Sequence, residues 1–569
     1  MKYDEDINNM NFKYYLIIIF LISSNASAFD RVTGEVFASR SEVIAANGIV
    51  ATSHPLATQI GLDILKQGGN AIDAAIAANI ALGLMEPTGN GIGGDLFVII
   101  WDAKTEKLYG LNASGPAPEN ISIDYFKQNN ITKIPPYGPL PVTVPGVVDG
   151  WVKLHNRFGS MEFQELFVPT ITYARDGFPI TETIAYYLEL SSKKFKDYPN
   201  FKNVWMPNNK ILKKGDLFKN IYLANTLEEI SKSKRKSFYE GRIAKIISSF
   251  IKDQGGFLSE ADLANYHAEW VEPVSSNYRG YDVWELPPNG QGIAALQILN
   301  ILEQYDIKEM GLFTSEYVHH FVEAKKLAFA DRAKYYADPK FNNIDISQLI
   351  SKEYAIERAK LISSSEAMKS VDAGILKDGD TIYLTTADKY GNMVSLIQSN
   401  YRGMGSGMVP PNLGFMLQDR GELFSLDKTH ANSLIGGKRP FHTIIPAFIT
   451  KDNKPFVSFG VMGGGTQPQA HAQIVINLID FDLNLQEAGD VSRIVHTGSS
   501  EPTDEVMFDG GYVNLESGFP LHIHKDLKTY GHKIGNEKGL FGGYQAIMLK
   551  NGVYYGASES RKDGHAAGY

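Results

Sequence analysis

Apolar spacing in this chain of 569 residues shifts from mostly helical to mostly strand-like near residue 380, and that shift limits the fold more than any other feature. Leu56, Ile60 and Ile64 recur every four residues. Gly68-Gly69-Asn70 interrupts them, and Ile72, Ile76 and Ile80 resume the spacing before Leu84. This pattern predicts helix from Leu56 to Met85, stopped by Glu86-Pro87. Leu96 to Trp101 reads as a buried strand, and residues 145–330 read as mostly helical. Val318, Phe321, Val322, Ala324, Leu327 and Ala328 mark one amphipathic helix. Between 340 and 380 the chain turns polar and serine-rich. From 381 onward, short strands alternate with turns and glycine clusters. Periodicity thus supports a mixed α/β chain with a boundary near 380.

The first residues predict export. Lys13 precedes the apolar run Leu16 to Ile22, and Ala26-Ser27-Ala28 follows. This describes a secretory signal over 1–28, with Met1 or Met10 as its start. The run is short for a bilayer span, and no later stretch reaches membrane length. The expected location is periplasmic or secreted.

Composition removes several chemistries. Cysteine is absent, which excludes disulfides, thiol nucleophiles and thiolate metal sites. Lys plus Arg number 55 against 64 Asp plus Glu, a net charge of −9, which argues against nucleic acid as the main partner. His319-His320 lie side by side on a helix, where neighbours point to different faces and ligate one ion poorly. No metal site is expected. Gly89-Asn90-Gly91-Ile92-Gly93-Gly94 matches GxGxxG formally, but it follows a helix and precedes a strand, the reverse of a dinucleotide loop. It is read as a tight turn packed on other backbone.

Residues 381–399 read as a hairpin: Thr381 to Thr386, a turn over Asp388 to Asn392, and Met393 to Ser399. Pairing Ala387 with Met393 sets Thr381 opposite Ser399, two hydroxyls at the open end. Further on, the strand Val457 to Val461 leads into Met462-Gly463-Gly464-Gly465-Thr466, and Pro468 suits the first turn of a helix. A glycine loop at a helix start aims N–H groups at an anion.

Gly379-Asp380-Thr381, followed by Asp388-Lys389-Tyr390-Gly391-Asn392, resembles the nucleophile segment of the gamma-glutamyltransferase (glutathione hydrolase) family of N-terminal-nucleophile hydrolases. Gly68 to Ala75, Gly91-Ile92-Gly93-Gly94, Val144-Pro145-Gly146 and Pro288 to Gly292 also match. So do Glu323-Ala324-Lys325, Ala328 to Arg332 and Gly556 to Tyr569, all in the family's order over residues 40–569. The resemblance implies a four-layer αββα sandwich and a precursor that cuts itself between Asp380 and Thr381. The large subunit would then be 29–380 and the small one 381–569. It also implies that the freed α-amine of Thr381 is the base for its own hydroxyl, that Ser399 hydrogen-bonds that hydroxyl, and that Gly463 and Gly464 form the oxyanion hole. No cofactor is implied. The substrate would be a γ-glutamyl amide or another acyl amide.

The substrate side departs from the glutamyl pattern. Ser114 falls where an arginine is expected, Tyr401 where an asparagine is, and Leu423 at an acidic place in Gln418-Asp419-Arg420-Gly421-Glu422-Leu423. His442-Thr443 replaces a serine pair, and the short stretch from Phe424 to Lys438 leaves no room for a lid loop. The chain therefore resembles the lid-less branch, which is similar to cephalosporin acylases. Arg420 or Arg439 stands in for the missing cation, and Glu422 or Asp419 for the missing acid. For His442, a buried structural role and a substrate contact are both open.

Overall fold

Two seven-stranded antiparallel sheets stack face to face, and helices cover both outer faces. The computed structural model describes residues 37, 39–343, 345–371 and 380–569. The export signal at 1–28 and Gly379 lie outside the described residues. The first sheet runs, edge to edge, His565–Gly568, Ile49–Thr52, Asp380–Ala387, Met393–Tyr401, Asp95–Asp102, Lys107–Ala113 and Glu269–Val271. The second runs Val43–Ala45, Val553–Ser558, Gly543–Lys550, Lys454–Met462, Ala447–Lys451, Tyr281–Glu285 and Val274–Tyr278. Both sheets mix strands from before and after residue 380. The architecture is the four-layer αββα sandwich expected from the sequence.

Strand alternation builds the layers. In Asp95–Asp102, Phe97, Ile99 and Trp101 join the core between the sheets, with Tyr383, Ile397, Phe448 and Ile547. Leu96, Val98 and Ile100 point the other way, into the helical layer. Every second residue thus serves a different core, so the strand is apolar throughout.

The helical expectation at 56–85 resolves into two helices, Pro55–Lys66 and Ala71–Met85. Asn70 caps the second through the N–H groups of Ile72 and Asp73, and Asp73 reaches back to the Asn70 N–H. The N–H of Ala71 donates to the Asp388 carboxylate at 2.8 Å. The hairpin turn is thereby fastened to the helix that covers its sheet, and the acid in the Asp388–Asn392 turn acts as an anion at a helix start.

The span 145–330 is mostly helical, as expected, with Glu269–Val271, Val274–Tyr278 and Tyr281–Glu285 adding three short sheet strands. One expectation needs correction. Helix Ser315–Tyr335 is not amphipathic in place. Its His319, Glu323, Lys325, Lys326 and Arg332 are all buried. Tertiary ion pairs and hydrogen bonds, invisible to periodicity, make that burial tolerable. Among the described residues no helix is long and apolar enough to cross a membrane.

Candidate active site

The hairpin pairs Ala387 with Met393 as expected, but a bulge between Asp380 and Ile382 shifts the open end, so that Asp380 faces Tyr401. Thr381 sits in that bulge. Its hydroxyl Oγ1 donates to Ser399 Oγ at 3.3 Å, and both residues are buried. Ser399 Oγ also accepts the Tyr401 N–H at 2.8 Å. A bulge at a strand end re-aims one side chain while the rest of the ladder stays regular.

The second sheet brings the glycine loop to the same place. Thr385 Oγ1 meets Ser458 Oγ at 2.6 Å across the sandwich. A Cβ on Gly460 would come within 2.5 Å of the Tyr383 ring. Two residues past Gly460 that strand ends at Met462, where the glycine loop begins. Gly463 has φ 125° and Gly464 φ 52°, and the chain then enters helix Gln467–Ile479 through a single 3-10 turn. A cavity of about 460 Å³ opens beside Gly463.

The loop is held from behind by residues the sequence reading left without a role. Gln291 Nε2 donates to the carbonyls of Gly464 at 2.9 Å and Thr443 at 2.6 Å. Arg332 Nη1 fixes that amide by donating to Gln291 Oε1 at 2.6 Å, and Arg332 Nη2 donates to Glu501 at 2.6 Å. All three side chains are buried. The ion pair is thus shielded from water and strongly directional.

A second buried cluster lies under Ser399. Asp95, its neighbour across the ladder, accepts from Gly115 N–H at 3.1 Å, Gln418 Nε2 at 2.9 Å and His442 Nε2 at 2.9 Å. Burial pushes the Asp95 carboxyl up to about 7, against the pull of Arg420, the Gly115 N–H and Gln418. The one sequence signal for Asp95 is an acid opening an otherwise apolar strand. Burial, reinforced by Arg420, holds His442 neutral, far below the usual imidazole range. Its Nδ1 accepts the Ile444 N–H at 3.3 Å, which leaves Nε2 as the donor to Asp95. Both ring nitrogens are engaged inside the protein.

Arg420 donates from Nη1 to Thr443 Oγ1 at 2.6 Å and lies 4.7 Å from the Tyr401 ring centroid. Its Nε and Nη2 have no hydrogen-bond partner among the described residues, nor has Asp419 Oδ2. Tyr401 holds φ at 78°, a left-handed conformation that costs about 1–3 kcal/mol for a side-chain-bearing residue. Arg402 grips Glu422 through two donors, Nε and Nη2. Ser114 is closed in a network, donating to Asn112 Oδ1 at 2.7 Å and accepting from Asn289 at 3.2 Å. Arg439 donates to the Ser114 carbonyl and to Glu269. The structure therefore gathers Thr381, Ser399, Tyr401, Arg420, His442 and Thr443 around one strand end. Ser114 and Arg439 are tied to each other, and Glu422 is tied to Arg402.

The glycines of the early loop pack on this strand end. A Cβ on Gly93 would come within 2.1 Å of the Met416 carbonyl, and one on Gly94 within 2.5 Å of the Ser399 carbonyl. Close backbone approach is what the loop's glycines provide. Away from the site, ligand atoms of His319, Glu323 and His532 lie within 4.8 Å of one another. Lys326 Nζ donates to Glu323 at 2.7 Å, so an ammonium already supplies a cation there.

Known proteins resemble this chain over nearly its whole length. The chain is 34% identical over 534 residues to the glutathione hydrolase-like YwrD proenzyme of Bacillus subtilis, covering 92% of this chain and 99% of that one. It is 33% identical to the acylase ACY 1 proenzyme of a Pseudomonas species, covering 91% and 92%. The solved cephalosporin acylase from Bacillus halodurans has a TM-score of 0.87 and 42% identity, covering 95% of this chain and 99% of that one. The gamma-glutamyltranspeptidase family model matches residues 57–569. A two-sheet sandwich with a hydroxyl pair and a glycine loop at one end, matched over nearly its whole length by such relatives, belongs to the gamma-glutamyltranspeptidase family.

Proposed function

We propose that this chain is a precursor that cuts itself between Asp380 and Thr381 and then cleaves acyl amides through an acyl–Thr381 ester. The observation that carries this reading is the buried Thr381 hydroxyl, 3.3 Å from Ser399 Oγ at the open end of the hairpin. In the first step Thr381 Oγ attacks the Asp380 carbonyl carbon and loses its proton. The peptide C–N bond breaks, the Thr381 nitrogen gains a proton, and an ester links the two residues. Water hydrolyses that ester, leaving the Asp380 carboxylate and a free Thr381 α-amine. The products are a large subunit, 29–380, and a small one, 381–569.

An α-amine titrates near 8, so a useful fraction is neutral at neutral pH. It takes the hydroxyl proton as Oγ attacks the substrate amide and returns it to the leaving nitrogen. Ser399 orients the hydroxyl. The N–H groups of Gly463 and Gly464 receive the oxyanion. Water or an amino group then takes the acyl unit.

The first reading of that unit is γ-glutamyl. The two open donors of Arg420 and the open oxygen of Asp419 support it, because an α-carboxylate and an α-ammonium would satisfy them. The second reading is another acyl group. It is supported by the closure of Ser114 and Glu422 onto other partners and by the likeness to a cephalosporin acylase. The leader over 1–28 suits an exported enzyme.

Intact-mass analysis of purified protein tests the core of the proposal. The wild type should give two fragments divided at 380/381, and Thr381→Ala should stay as one chain; splitting in that variant would end the reading. A panel of γ-glutamyl and plain acyl anilides then separates the two acyl groups.

A further inference from the structure

The peptide that carries the Gly464 N–H is fixed through its other end. A trans peptide is planar, and its N–H and C=O point in opposite directions. The Gly463 carbonyl shares a plane with the Gly464 N–H, and it accepts the Thr466 N–H at 2.9 Å. The Thr466 N–H lies in the next plane but one, whose oxygen is the Gly465 carbonyl. That oxygen accepts Gln469 Nε2 at 3.2 Å. Two rigid planes thus connect one side-chain amide to the N–H that the acyl-transfer reading gives to the oxyanion. Gln291 acts on the plane between them, because the Gly464 carbonyl that it holds belongs with the Gly465 N–H.

Gln469 is itself clamped. It projects from the first turn of helix Gln467–Ile479 toward strand Ile494–Thr497. Its Nε2 also donates to the His496 carbonyl at 3.2 Å, and its Oε1 accepts the His496 N–H at 2.9 Å. Both amide hydrogens and the amide oxygen are therefore engaged, and the group cannot turn without losing a bond. The same His496 carbonyl accepts Lys325 Nζ at 3.0 Å, and that nitrogen lies 2.6 Å from Ser499 Oγ. Gln469, His496 and Lys325 are all buried, so a lost bond leaves a polar group without water to replace it. Gln473, one turn further on, provides a comparison within the same helix. It exchanges the same two bonds with Ile494, at 2.8 Å each. Its Nε2 otherwise donates to the Gln469 carbonyl at 3.1 Å, and among the described residues it makes no hydrogen bond to the glycine loop.

We infer that Gln469 is a positioning residue that aims the Gly464 N–H at the oxyanion, with Lys325 supporting it one link further back. This rests on the acyl-amide reading above and adds a residue to that same site.

The test compares Gln469→Met with Gln473→Met, measured per processed chain. Each removes one clamp and keeps the volume, so both should lower the urea midpoint alike. Only Gln469→Met should lower kcat on an acyl anilide, by about thirtyfold with KM held within about threefold, since losing an oxyanion donor outright costs about a hundredfold or more. An alkyl boronic acid, which forms a tetrahedral adduct with the Thr381 hydroxyl, should bind more weakly to Gln469→Met by a similar factor and to Gln473→Met unchanged. Equal losses of kcat in the two variants, or an unchanged kcat in Gln469→Met, overturn the inference while leaving acyl-amide cleavage intact. If Gln469→Met does not fold, Lys325→Met takes its place: a loss in kcat of about threefold with KM held supports the inference, and an unchanged kcat overturns it. Processed wild-type protein that turns over no acyl anilide overturns both readings.

Discussion

The hairpin that carries Thr381 and the glycine loop lie toward one end of the sandwich but are built in opposite ways. Thr381 and Ser399 are 18 residues apart, and one antiparallel ladder with a single bulge sets their geometry. The loop at Gly463-Gly464 is positioned from far away. Its Gly464 carbonyl is held by Gln291, which is held by Arg332, which is held by Glu501. The first arrangement is local and rests on strand register, which a turn of fixed length specifies strongly. The second is a chain of buried polar contacts from three separate segments, where each link depends on the next. Damage to the hairpin should therefore act on the chemistry directly, and damage to the relay should act on stability and on oxyanion support together.

Four measurements sharpen that contrast. Arg332→Met leaves Glu501 buried without its cation, and should cost about 3–5 kcal/mol in urea unfolding. A loss under 1 kcal/mol would mean that the relay carries little of the load. Gln291→Met removes the donor to Gly464 while keeping volume. If the loop depends on it, kcat on an acyl anilide should fall about a hundredfold with KM within about threefold. An equal change in both would point to general disruption instead. Ser399→Ala removes one hydrogen bond from the Thr381 hydroxyl, and the half-time of self-cleavage should lengthen by about fivefold, as one such bond is worth about 1 kcal/mol; unchanged kinetics would remove Ser399 from the mechanism.

The fourth measurement is a pH slope. The Asp95 carboxyl is raised to about 7 in the folded protein, so the folded state keeps its proton longer than the unfolded chain does. Its stabilising contribution is fully present below pH 4 and is lost as pH rises through 7. Asp95→Asn cannot titrate, so wild-type stability measured relative to the variant should be highest near pH 4 and fall steadily toward pH 8. Parallel stability curves would contradict this.

Much of the local structure was legible in the chain. The four-residue spacing with a glycine break gave both early helices, because Asn70 is a cap that any helix start can use. The β-branched run from Thr381, the Asp388–Asn392 turn and the Met393 run gave the hairpin to within one bulge. The matching blocks also gave the family and its sandwich. The buried charges were not legible. Nothing in the spacing of Glu323, Lys326 or Arg332 distinguishes a solvated helix face from a buried one, since the partners come from Met368, Glu501 and His532. Asp95 and Gln291 were likewise hidden, because their roles arise only when distant backbone groups converge on them.

The sequence by itself determined which residues form the hairpin and the glycine loop, because strand register, turn chemistry and glycine's tolerance of positive φ are properties of neighbours along the chain. Only the tertiary structure decided that Ser114 and Glu422 are closed onto other side chains while Arg420 keeps two open donors. Whether a polar group is satisfied depends on what long-range packing brings within about 3 Å of it, and no local pattern encodes that.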